Sequence, residues 1–217
     1  MAVTVHASGI STQSGTGALT HTISALTAGR QLIVLNDSTG NGYTDGPTGI
    51  TGVTIGGNAL TRIGYRYVVP GSSAGITSCY VRTGLGGGET AIAVSSDAGG
   101  FWQSDIVWTE VSGLDGLLDV ENSTNAFDVA LSVGFTTGYS NSLGISCGAG
   151  GTPSSSGWSN VTGSTTAAIN ADLGTAGAET LAFVDLGSPA GRNVAVYAIR
   201  ASATATPSRN LLTLGVS

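Results

Sequence analysis

The segment Gly144-Ile-Ser-Cys-Gly148 has the spacing Gly-x-Ser-x-Gly, the pattern of a serine nucleophile held on a sharp strand-to-helix turn. That chemistry needs a helix after the serine, then an acid and a histidine further along. Here Ala149-Gly-Gly-Thr-Pro153 follows, which opens no helix, and both histidines, His6 and His21, lie upstream. A chance match in a Gly- and Ser-rich chain is expected. Paired carboxylates are the next possibility. Asp115, Asp119 and Glu121 gather around one turn, and Asp37 and Asp45 flank another. A glycosidase projects two carboxylates into a cleft at a fixed separation. With 13 acidic residues in 217, turn formation and solvation are the expected roles.

Metal and phosphate chemistry find little support. His6, His21, Cys79 and Cys147 are too widely spaced for a zinc pattern. The stretch from Asp37 to Asp45 offers oxygens to a calcium ion but does not fit the EF-hand register. Gly84-Leu-Gly-Gly-Gly-Glu89 misses the Gly-x-Gly-x-x-Gly spacing and precedes no helix. No metal or other cofactor is expected, and no catalytic residue. Among the aromatics, Trp102 and Trp108 share a strand face with Ile106 and read as core. Trp158, after the turn Pro153-Ser-Ser-Ser-Gly157, is open between core and a stacking platform for a glycan. Cys79 and Cys147 sit in strand-like stretches and are expected as buried free thiols rather than a disulfide.

The elements that would position these residues are strands. Lysine is absent, all seven basic residues are arginines, and 35 residues are glycine. The net charge of -6 and pI near 4.5 provide no basic stripe for nucleic acid and no basic face for a membrane. Thirteen short β-branched stretches bounded by turn formers are legible: 2–6, 19–26, 30–36, 52–55, 59–69, 76–82, 89–95, 102–112, 127–133, 142–147, 165–170, 179–184 and 193–200. Leu19, Ile23 and Ala25 alternate with Thr20, Thr22 and Ser24. The stretch Val194 to Ile199 is apolar on both faces and should be central. Gly56-Gly57 marks a hairpin. No amphipathic helix is convincing, and no internal repeat is visible. The expected fold is all-β, a jelly-roll-like antiparallel β-sandwich over residues 1–200.

Residues 201–217 form a C-terminal arm or a final edge strand. Their apolar run, with Leu211, Leu212, Leu214 and Val216, has two readings: an edge strand on its own sandwich, or an arm on a neighbouring subunit. Met1 to Ile10 shows no basic, apolar leader, so cytoplasmic synthesis is expected.

Val53-Thr-Ile-Gly-Gly-Asn-Ala-Leu-Thr-Arg62, Val68-Val-Pro70, Ala91-Ile-Ala-Val94 and Ile106-Val-Trp-Thr-Glu-Val-Ser-Gly-Leu-Asp115 together resemble the sandwich domains of tailed-phage structural proteins, head-decoration and tail-fibre components among them. Ser156-Gly-Trp158 and Val194-Ala-Val-Tyr-Ala-Ile199 fit the same pattern. The resemblance spans most of residues 30–200 and brings no catalytic residue. It implies a virion structural protein without enzymatic activity, a capsid decoration or cement protein. Its partners would be capsid or other virion proteins and further copies of itself, and its location the virion. The alternative is a receptor- or carbohydrate-binding module that takes a surface glycan through Trp158 and the 37–45 loop.

Overall fold

The computed structural model describes residues 3–40, 49–68, 74–97, 102–126, 131–149, 152–161, 166–184 and 192–203. Among them no helix forms. The strands of the first half are β1 (Thr4–Gly15), β2 (Leu19–Thr22), β3 (Gln31–Gly40), β4 (Ile50–Ile55), β5 (Asn58–Ala59), β6 (Thr61–Val68), β7 (Ala74–Arg82), β8 (Ala91–Ser96) and β9 (Trp102–Ser112). Those of the second half are β10 (Leu114–Ala126), β11 (Leu131–Thr136), β12 (Leu143–Ala149), β13 (Thr152–Pro153), β14 (Ser159–Val161), β15 (Thr166–Asn170), β16 (Ala178–Val184) and β17 (Arg192–Ala201). Among the described residues every pairing is antiparallel.

The described strands make four sheets in four layers. Two inner sheets run β1-β9-β3-β7-β6 and β10-β17-β12-β15-β14; two outer sheets run β2-β8-β4-β5 and β11-β16-β13. Three apolar cores fill the gaps. Leu32, Val34, Ile106 and Trp108 of the first inner sheet meet Val53, Ile55, Ile92 and Val94 of its outer sheet. Ile33, Leu35, Cys79 and Val107 meet Leu143, Ile145, Cys147 and Tyr197 between the inner sheets. Val194, Val196 and Ala198 meet Val133, Phe135, Leu181 and Phe183 on the far side. Successive side chains of a strand point to opposite faces, so Leu32 to Leu35 and Val194 to Ile199 are unbroken apolar runs because each serves two cores. The all-β sandwich expectation is met, and β17 is buried on both faces as its composition requires.

The repeat invisible in the sequence is present in the strand order. In each half the first strand pairs with the last (β1 with β9, β10 with β17) and the second with the penultimate (β2 with β8, β11 with β16). The third strand flanks the last on its other side, and the fourth flanks the penultimate. The span expected as one sandwich is thus wound as two, sharing the middle core. The contacts between halves are reciprocal: β6 meets β10, β1 meets β14, and β3 faces β12. Since β1 corresponds to β10 and β6 to β14, one contact is made twice with the halves exchanged. This is the logic of a two-fold interface, inside one chain.

Two glycines allow close approach at this seam and beyond it. A Cβ on Gly64 would lie 2.7 Å from both the Tyr197 ring and the Glu121 carboxylate. Glu121 accepts the Tyr65 backbone N–H at 2.8 Å, the Arg66 guanidinium donates to the Glu121 carbonyl at 2.5 Å, and the Tyr197 hydroxyl donates to the Thr77 carbonyl at 2.9 Å. Gly144 is overlaid by Trp158, whose indole would meet a Cβ at 2.6 Å. The expected Gly56-Gly57 hairpin is present, both residues at positive φ (54° and 78°), joining β4 to β5.

β10 is the main element the sequence reading passed over. Asp115, Asp119 and Glu121 read as gathered around a turn, yet the segment is a 13-residue edge strand. Its pairing with β17 shifts register near Leu114–Leu118 and Leu118–Val120.

Candidate functional site

The structure absorbs most sequence candidates into its scaffold. Ser146 of the Gly-x-Ser-x-Gly match sits inside β12, fully buried, where its hydroxyl accepts the Ala168 N–H at 3.1 Å. The strand continues past it to Ala149. Asp115 holds Arg200 (Nε at 2.9 Å) and accepts the Leu117 N–H at 2.8 Å. Asp119 accepts the backbone N–H groups of Gly138 and Tyr139 and the Ser142 hydroxyl at 3.0–3.2 Å. Glu89 closes its Gly-rich turn by accepting the Gly86 and Gly87 N–H groups, both at 2.8 Å. Cys79 and Cys147 are free and buried, and burial pushes both thiols well above their ordinary pKa.

Trp158, open in the sequence between core and a stacking platform, packs in the third core. Its indole is 8% exposed and meets Phe135 edge-on at 6.4 Å and 89°. It belongs to the buried core that includes Ala168, Leu173 and Leu181. Leu211, Leu212, Leu214 and Val216, together with Asp45, lie outside the described residues.

Two polar clusters escaped the sequence reading because their members are far apart in the chain. His21 is wholly buried. Its Nδ1 lies 3.2 Å from the Ser11 hydroxyl and its Nε2 3.1 Å from that of Ser104. Ser104 donates to Asn36 Oδ1 at 2.5 Å, and Asn36 Nδ2 donates to Ser38 at 2.6 Å. Burial lowers the His21 pKa to about 4, against weaker opposing effects of Ser11 and Asp105. On the opposite face of the same inner sheet, Asp37 and Asp105 sit directly across from each other. Thr12 donates to Asp105, as does Gln103 Nε2 at 2.9 Å; Thr77 donates to Asp37 at 3.4 Å. Burial first, and the facing Asp105 charge second, raise Asp37 to about 7. Among the described residues no three His, Cys, Asp or Glu side chains converge as metal ligands would.

What remains open is surface. The outer faces of β2, β8 and β4 present Thr20, Thr22, Ala91, Ala93, Ser95 and Thr54. Those of β11 and β16 present Ser132, Gly134, Thr136, Thr180 and Val184. Neither carries a charge. Beside β4 a cleft of about 500 Å³ opens, lined by Ile50, Thr51, Val53, Leu60, Arg62 and Tyr80. The residue just before the inner edge strand is Leu60 in this half and Trp158 in the other, each 8% exposed. No protein-family model, no curated protein and no solved structure matches the chain.

Proposed function

We propose that the protein is a structural component of a virion, a decoration or cement protein that reinforces a phage capsid in many copies. The observation that carries this reading is the pair of uncharged outer faces built mainly from Thr, Ser, Ala and Gly. Charged surfaces keep folded proteins apart in solution. A face of short uncharged side chains loses little conformational entropy or hydration when another protein covers it. Four stacked sheets at about 10 Å per layer form a stiff slab whose two broad sides are available for such contacts. We read the first-with-last, second-with-penultimate strand order as jelly-roll-like, and it supports the proposal together with the resemblance to tailed-phage sandwich domains. Repetition over a symmetric shell turns modest contacts into firm attachment.

The test is composition and charge. Purified particles from the source genome should contain the protein in many copies by quantitative mass spectrometry. Placing charge on an outer face, Ala93→Glu with Thr20→Glu or Thr180→Glu with Ser132→Glu, should lower its copy number at least several-fold while the free protein stays folded. Absence from purified particles overturns the proposal.

A further inference from the structure

We propose that the groove between β1 and β14 binds a neutral sugar unit of a glycan chain. It uses neither the Trp158 ring nor the 37–45 loop, and it does not depend on the virion reading.

The two seams between the halves come first. They are one contact made twice, yet they close differently. At the seam of β6 with β10, a Cβ on Gly64 would lie 2.7 Å from the Tyr197 ring, and Glu121 accepts the Tyr65 N–H at 2.8 Å. At its counterpart, where β1 meets β14, a groove of about 360 Å³ stays open. β14 has three residues where β6 has eight, so it covers less of the strand it faces. The volume falls in the range of small-ligand sites.

The lining comes second. Ser8 of β1, Ser159 and Asn160 of β14, Asn170 at the end of β15 and Asp172 just beyond it supply the polar groups. Val5, Val161 and Ile169 supply an apolar wall. Two of the polar groups are held in place by the turn that follows β15. The Asp172 N–H donates to Asn170 Oδ1 at 3.1 Å, and the Gly174 N–H donates to Asp172 Oδ1 at 2.8 Å. Gly157, at a φ of 82°, lies against Asn170: a Cβ there would be 3.0 Å from Nδ2. With Oδ1 engaged, Asn170 presents Nδ2 as a donor beside Gly157, while Asp172 keeps its second oxygen as an acceptor.

That set of groups selects the ligand. A sugar hydroxyl both donates and accepts, so a sugar needs carboxylate, amide and hydroxyl groups close together, with apolar side chains for its C–H edges. Among the described residues that line the groove, Asp172 alone is charged. No cation is there to hold a phosphate, a sulfate or an acidic sugar, and Asp172 repels each of them. A single carboxylate without an aromatic wall is also a poor seat for an ammonium group. A neutral sugar remains.

The experiment probes an array of neutral and acidic glycans with the full chain, then titrates the isotope-labelled protein with the best-bound oligosaccharide. Retention on neutral glycans is expected, with chemical-shift changes centred on Ser8, Asn160, Asn170 and Asp172. Asp172→Asn keeps an oxygen for the Gly174 N–H but loses the charge, and should weaken binding about tenfold. Ser159→Phe fills the groove from an exposed edge position and should abolish binding at an unchanged melting temperature. Thr180→Phe, on the outer face of β16, should bind as the parent does. Failure to bind any neutral glycan, a preference for acidic ones, shift changes centred elsewhere, or equal binding by the two phenylalanine variants would overturn the proposal.

Discussion

Two titratable side chains of the first half pull stability in opposite directions with pH. His21 is held neutral, its pKa falling from 6.5 to about 4. Its contribution is complete above pH 6.5 and is lost as pH falls through 4, an effect worth roughly 3 kcal/mol. Asp37 is raised from 3.8 to about 7. Its contribution is complete below pH 3.8 and is lost as pH rises through 7. Between pH 4 and 6.5 the two slopes oppose each other. The Asp37→Asn variant should therefore match the parent near pH 4 and exceed its melting temperature by several degrees at pH 8. Subtracting one melting profile from the other removes the carboxylates they share. Parallel profiles from pH 4 to 8 would show that Asp37 does not titrate as its burial beside Asp105 requires. The same scale explains why chemistry-like motifs misled: Gly144 is needed because an indole lies on it, and Ser146 because Ala168 needs an acceptor.

At the scale of elements, buried polar side chains pin the connections. The segment between β2 and β3 is held by Glu110 of β9, which is 3% exposed. Glu110 accepts the Thr27 N–H at 2.6 Å and the Arg30 guanidinium at 3.0 Å. Burial opposes its ionisation, but these donors outweigh burial and hold its pKa below the ordinary carboxylate value. Glu110→Gln keeps the shape and loses the charge, so a loss of about 1–3 kcal/mol is expected in denaturant titration. Amide exchange should quicken at Leu26 to Gly29. An unchanged midpoint would mean that the clamp is dispensable. β10 shows why strand recognition from sequence failed locally. Its acidic and amide side chains look like turn formers but bind neighbours instead: Asp119 caps the 138–142 turn and Asn122 donates to the Gly134 carbonyl at 2.6 Å.

At the scale of the molecule, the two sandwiches share their middle core, with Ile33, Leu35 and Val107 on one side and Leu143, Ile145 and Tyr197 on the other. Opening either half exposes apolar surface of both. A single calorimetric transition is expected, with equal calorimetric and van't Hoff enthalpies. Two resolved peaks would show that the halves stand alone.

The sequence by itself determined the strand class, the alternation of β2, the hairpin at Gly56-Gly57, the burial of Cys147 and the two-sided burial of β17. Each of these is set by neighbours within a few residues, through the two-residue period of a strand and the backbone freedom of glycine. Tertiary structure decided the rest. The duplicated winding leaves no sequence trace because it constrains strand order and not residue identity. Trp158 became core because its partners are Phe135 and Leu181. Ser104 meets Asn36 across 68 residues and Tyr197 meets Thr77 across 120. Contacts of that separation are fixed by how sheets stack, and no local pattern encodes them.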